Sequence, residues 1–178
     1  MGESAGGGLA AALALLARDR GEMNLTFQHL IYPMLDDRTC VAPDTDPFTG
    51  EFVWTLKSNC FGWSALLGTP PGPKGVSPYA APAREQDLTR LPRTFIAAAA
   101  LDLLLEENLD YGRRLLRAGV PVELHVYPGA FHGFDLHPSA RIARTARRDS
   151  LAALAHFLDA QTSAGMDARM ARHSTCAK

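Results

Sequence analysis

The chain has 178 residues, eighteen Lys and Arg against nineteen Asp and Glu, a formal net charge of −1, and 47% hydrophobic residues. That apolar share excludes an intrinsically disordered chain, and the near-neutral charge excludes a nucleic-acid or polybasic membrane binder. No apolar run approaches the ~18–20 residues of a membrane-spanning helix, and the length fits one domain with a real core.

Residues 5–19 (AGGGLAAALALLARD) are rich in Ala and Leu, strong helix formers, and Gly21 is a natural stop, so a helix is expected. Residues 25–32 (LTFQHLIY) are β-branched and aromatic and end at Pro33, the pattern of a strand. Residues 36–50 are polar and turn-rich, a loop. Residues 51–68 are aromatic-rich and read as one or two short helices, and the six prolines in residues 69–92 predict an irregular connection.

The continuous apolar run at residues 94–100 (TFIAAAA) fits a strand buried on both faces. Residues 103–118 have helical spacing, with Leu105, Leu109, Leu115 and Leu116 near one face and Gly119 as the stop. Residues 120–127 alternate and end at Pro128-Gly129, a further strand. Residues 140–160 read as a long amphipathic helix with Ile142, Leu151, Leu154, Phe157 and Leu158 toward the core. Strands alternating with helices predict an α/β fold with a parallel sheet.

Cys40, Cys60 and Cys176 form no C-x-x-C pair, and an odd count is no disulfide framework. Thiols in a reducing compartment are the expectation. The N-terminus lacks the basic region of a signal peptide, so the reading is cytoplasmic.

Three positions carry candidate chemistry. Gly2-Glu3-Ser4-Ala5-Gly6 is a G-x-S-x-G pentapeptide ahead of a helix, the pattern of a nucleophile on a strained turn. An N-terminal cap is the plainer reading of Ser4. His132 stands in a Gly-containing loop just after a strand, where parallel sheets place ligands. His29 and His125 lie inside strands and His137 precedes Pro138, so all three read as structural or solvated. Asp102 follows the apolar strand, where a carboxylate orients an imidazole, or else caps the next helix. The order Ser4, Asp102, His132 is that of an α/β-hydrolase triad, and it outweighs each residue taken alone.

At this point the sequence resembles the hormone-sensitive-lipase-like bacterial carboxylesterases of the α/β-hydrolase fold. The matching segments are residues 2–7 (GESAGG), Tyr32-Pro33, Ser77-Pro78, residues 102–107 (DLLLEE), residues 116–123 (LRAGVPVE), residues 127–129 (YPG) and residues 131–134 (FHGF). The resemblance implies Ser4 as nucleophile, His132 as base then acid, and Asp102 as the acid holding the imidazole. It implies short- or medium-chain carboxylic esters as small-molecule substrates, and no cofactor or metal.

Two departures from that family pattern matter. The family's D-P-L-R-D-E becomes DLLLEE here, which keeps the acid and loses an arginine. The family's upstream H-G-G segment has no counterpart, because three residues precede Ser4 in this sequence. Ala5 N–H then remains as one oxyanion donor. The expectation is a partial α/β-hydrolase fold lacking N-terminal strands: residues 1–160 as its C-terminal portion and residues 161–178 as a flexible tail. Activity of such a chain is expected to be weak or absent. The alternative is a non-catalytic module that binds or homodimerises through an open sheet edge. The aromatic set Phe52, Trp54, Phe61 and Trp63 reads first as a core-facing stripe and second as an acyl-pocket wall, and Glu3 as a neighbour of the site without a catalytic role.

Overall fold

A computed structural model describes the backbone of residues 1–43 and 46–174 and the side chains through residue 159. Residues 44–45, part of the expected loop, and residues 175–178 lie outside it, as do all side chains of the expected tail.

The elements follow the expected order, with one addition: a two-residue strand that the sequence did not announce precedes the first helix. They are β1 (Gly2–Glu3), α1 (Ser4–Arg20), β2 (Phe27–Ile31), α2 (Leu56–Leu67), β3 (Arg93–Ala99), α3 (Leu105–Arg117), β4 (Val122–Tyr127) and α4 (Arg141–Ser174). Short 3-10 turns occupy Asp37–Val41, Pro82–Arg84 and Phe134–Leu136. Gly21 and Gly68 end α1 and α2 in the left-handed region, with φ 64° and 68°, each donating its N–H back to the last turn. Thr55 caps α2 by accepting from Ser58 N–H.

The strands pair in parallel in the order β1-β2-β3-β4, a sheet flanked by helices as the α/β expectation requires. β3 is central and almost wholly buried because its run of alanines and apolar residues is covered on both faces. On one face Leu30 and Ile96 meet Ala11, Ala14 and Leu15 of α1 and Tyr111 and Leu115 of α3. On the other, Phe95, Ala97 and Ala99 meet Ala143, Ala146 and Ala153 of α4.

The helix faces differ from expectation at three leucines. Leu116, Leu151 and Leu158 are exposed, at 55%, 56% and 67%. Small alanines, not the leucines, form the stripe that α4 lays on the sheet. The bulkier Leu151 instead borders a wide recess of ≈ 1030 Å³ beside β1, shared with His29, Ile31 and Ser150.

The glycines that open α1 have a packing cause. A Cβ on Gly8 would stand 2.0 Å from the Met34 carbonyl oxygen, and one on Gly7 would stand 2.8 Å from the Pro33 Cβ. Residues without side chains let α1 lie directly on the chain leaving β2, and Met34 N–H donates to Ser4 O at 2.9 Å. A helix that close to the sheet sets the position of its own first residue.

Candidate active site

All three proposed residues sit at the C-terminal ends of parallel strands, the edge where α/β sheets place ligands. Ser4 follows β1, Asp102 follows β3, and His132 lies in the loop after β4. Ser4 has φ 51°, the left-handed region that an L-residue rarely adopts. A Cβ on Gly2 would collide with the Gly6 carbonyl oxygen at 2.1 Å, so the turn needs glycine there.

Ser4 Oγ lies 2.8 Å from His132 Nε2, and His132 Nδ1 lies 2.7 Å from Asp102 Oδ2. Asp102 is 1% exposed and His132 6%. Asp102 is not the helix cap weighed against this role, since Leu104 is the N-cap of α3 and the helix has no side-chain cap bond. Asp102 Oδ1 accepts from Leu104 N–H at 3.1 Å in a turn ahead of the helix, which leaves Oδ2 aimed at the imidazole. Ser4 is likewise not a cap: Glu3 holds that position, without a side-chain bond.

Two aromatic rings flank His132. Tyr32 lies 4.8 Å from it and Trp54 5.5 Å, centroid to centroid. Tyr32 follows β2 with φ 33°, and its hydroxyl donates to Asp135 Oδ1 at 2.5 Å. Burial, then the bond to Asp135, pushes its phenol well above the usual range. Trp54 Nε1 donates to Asn59 Oδ1 at 3.1 Å. In the sequence Tyr32 stands out only within the Tyr32-Pro33 motif, and Trp54 only within an aromatic set that reads as a core stripe or an acyl-pocket wall. The available signal for Tyr32 was its place at a strand's C-terminal end.

The aromatic set divides rather than acting as one stripe. Trp63 is core at 1% exposure, Phe61 is 77% exposed, and Phe52 packs on Phe131 at 5.8 Å. Trp54 and Trp63, with Ala5, Leu9, Met34 and Leu66, line an apolar cavity of ≈ 140 Å³. His29, His125 and His137 are engaged elsewhere. His29 bonds Ser150 at 2.7 Å and stacks on Phe95, His125 bonds Glu123 at 2.8 Å, and His137 bonds Ser139 at 2.9 Å.

Glu107 anchors the chain after Tyr32 from below. Its Oε1 accepts from Leu35 N–H at 2.6 Å and Asp36 N–H at 3.2 Å, and Thr39 Oγ1 bonds its other oxygen. Asn108 Nδ2 donates to Pro33 O at 2.7 Å. Burial pushes the Glu107 carboxyl up to about 8, against the hydrogen bonds that favour its charge. These two residues of α3 hold the segment on which Tyr32 is mounted.

Residues 1–136 match the alpha/beta hydrolase fold family. This chain belongs to that family, in its hormone-sensitive-lipase-like branch. Esterase LipI of Mycobacterium tuberculosis is 36% identical over 137 residues, covering 75% of this chain and 41% of that protein. Among solved structures, a bacterial heroin esterase is 39% identical with a TM-score of 0.80, covering 88% of this chain and 50% of that one. Esterase LipW from Mycobacterium marinum is 35% identical with a TM-score of 0.75, covering 88% and 48%. The chain thus spans about half or less of the length of these relatives.

Proposed function

We propose that this chain carries the reacting residues of a serine carboxylesterase acting on short- to medium-chain esters. The observation that carries the reading is the linear hydrogen-bonded array from Ser4 through His132 to Asp102. In this reading His132 Nε2 takes the Ser4 proton as Oγ attacks the ester carbonyl carbon. The carbonyl oxygen becomes an oxyanion, to which Ala5 N–H donates from the first turn of α1, where helical N–H groups lack intrahelical acceptors. Collapse of the intermediate expels the alcohol, which takes the proton back from His132. Water then repeats the cycle on the acyl-enzyme, with His132 again as base and then acid. Asp102 fixes the tautomer and offsets the imidazolium charge.

The apolar cavity lined by Ala5 and Trp54 supports a modest acyl group, since ≈ 140 Å³ holds only a few methylenes. The esterase names of the relatives support the ester class. Ala5 N–H is the oxyanion donor in this reading, and one such donor is worth about 10²–10³ in kcat. A cytoplasmic setting rests on the unpatterned cysteines, and the absence of a nucleic-acid partner rests on the net charge. Among the described residues no helix is long and apolar enough to cross a membrane.

The test is stoichiometric labelling of the 178-residue chain by a fluorophosphonate, with p-nitrophenyl acetate hydrolysis alongside. Label mapped to Ser4 and lost in Ser4→Ala and His132→Ala is expected. A folded chain that takes no label at Ser4 would sink the reading.

A second reading is favoured by β1, a two-residue edge strand beside the large recess. A chain with such an edge serves as a binding or dimerisation module. Light scattering giving a monomer at all concentrations excludes the homodimer.

A further inference from the structure

Cys40 and Cys60 come from different elements and meet. Cys40 lies in the Asp37–Val41 turn and Cys60 in α2, and the two elements pack together. Cys60 Sγ donates to Cys40 O at 3.7 Å, and the two thiols are hydrogen-bond neighbours. Both residues are free thiols of intermediate exposure, so neither is sealed in the core.

The pair is wired to the candidate site by Asn59. This fully buried amide donates to Cys40 Sγ at 3.4 Å and accepts from Trp54 Nε1 at 3.1 Å. Trp54 in turn lies against His132. Cys40 precedes and Cys60 follows the aromatic stretch that holds Phe52 and Trp54, the former packed on Phe131 and the latter on His132.

We propose that Cys40 and Cys60 form an oxidisable dithiol that peroxide closes to a disulfide, and that closure shifts Trp54 against His132 through Asn59. The chemistry balances with peroxide as the two-electron oxidant. Cys60 sulfur attacks one peroxide oxygen, the O–O bond breaks, and a sulfenic acid and water form. Cys40 sulfur then attacks the Cys60 sulfur, the S–O bond breaks, and a second water leaves with the Cys40 proton. Burial pushes the Cys40 thiol up, which disfavours its thiolate and leaves Cys60 as the first nucleophile, and in the second step Cys40 gives up its proton as its sulfur attacks. On closure the Cys40 sulfur turns toward Cys60 and away from Asn59. Asn59 loses an acceptor, and the amide that fixes the Trp54 indole is freed.

The full chain treated with hydrogen peroxide is digested without reduction and analysed by mass spectrometry. A cross-linked pair of peptides holding Cys40 and Cys60, lighter by two hydrogens and restored by a thiol reductant, is expected. Tryptophan fluorescence should shift with closure, and no shift is expected in Cys60→Ser, which keeps Asn59 and Trp54. Cys176→Ser should still close. Cross-links only to Cys176, single-site sulfinic acids without a Cys40–Cys60 link, or closure with unchanged fluorescence would each overturn the proposal. None of these readouts depends on ester hydrolysis.

Discussion

The ring of Tyr32 lies 4.8 Å from that of His132, tilted by 58°, while its hydroxyl reaches past to Asp135 at 2.5 Å. One side chain thus walls the imidazole and ties the loop that follows it. Tyr32→Phe keeps the wall and cuts the tie. A bond to a charged, half-exposed acceptor is worth about 1.5 kcal/mol, so thermal unfolding should fall by a few degrees. Ester turnover should fall less than tenfold. Tyr32→Ala removes the wall as well and should cost a further factor in kcat. If the Ala and Phe variants are kinetically equal, the ring does not position His132.

The proposed nucleophile and its partners predict a steep, non-additive pattern. Asp102→Asn keeps the turn bond from Leu104 N–H to its Oδ1, so stability should change little. Hydrolysis of p-nitrophenyl acetate should nonetheless drop by as much as about 10⁴ in kcat. Ser4→Ala and the Ser4→Ala/Asp102→Asn double variant should be equally inactive. A double variant much slower than either single one would show that the three residues do not act as a unit.

Glycines of the opening turn should differ sharply in tolerance. Gly8→Ala drives a methyl group into the Met34 carbonyl and Gly2→Ala into the Gly6 carbonyl. Each should destabilise by about 1–3 kcal/mol, the cost of overpacking. Gly6 has nothing within 4 Å of a new Cβ, so Gly6→Ala should leave the unfolding midpoint unchanged or raise it. Chemical denaturation of the three variants settles the order.

Glu107 predicts the sign of a pH effect. Its carboxyl titrates near 8 in the folded chain and near 4.5 when unfolded. Between those values the folded state holds a proton that the unfolded state has lost. Stability therefore declines as pH rises from 4.5 to 8, by about 1.4 kcal/mol per unit for one proton, and levels off above 8. Glu107→Gln keeps an oxygen for Leu35 and Asp36 N–H and removes the titration. The difference in unfolding free energy between wild type and variant should slope across that window. A flat difference would show that Glu107 does not titrate there.

Much of this architecture was legible in the sequence because it rests on short-range pattern. The apolar run that forms β3 and the Ala-Leu run that forms α1 fix both elements by composition alone. The order of Ser4, Asp102 and His132 pointed to one site because strand ends bring those positions together. What the pattern hid was set by fit between distant segments. Helical spacing marks the large residues of α4 as core, but the close seat of α4 on the sheet selects Ala143, Ala146 and Ala153 and turns Leu151 outward. Phe61 and Trp63 are two residues apart on α2, and helix geometry sends one to solvent and one inward. The rings around His132 come from residues 32 and 54, and no local spacing announces that meeting.

The Ser4–His132 hydrogen bond closes a loop of 128 residues. Its two ends reach each other only when β1, β2, β3 and β4 lie in register at once. The bond is therefore a gauge of cooperativity for the whole sheet. At each denaturant concentration, the fraction of molecules holding it cannot exceed the fraction with every strand docked. A serine-directed label would then count assembled sheets one molecule at a time.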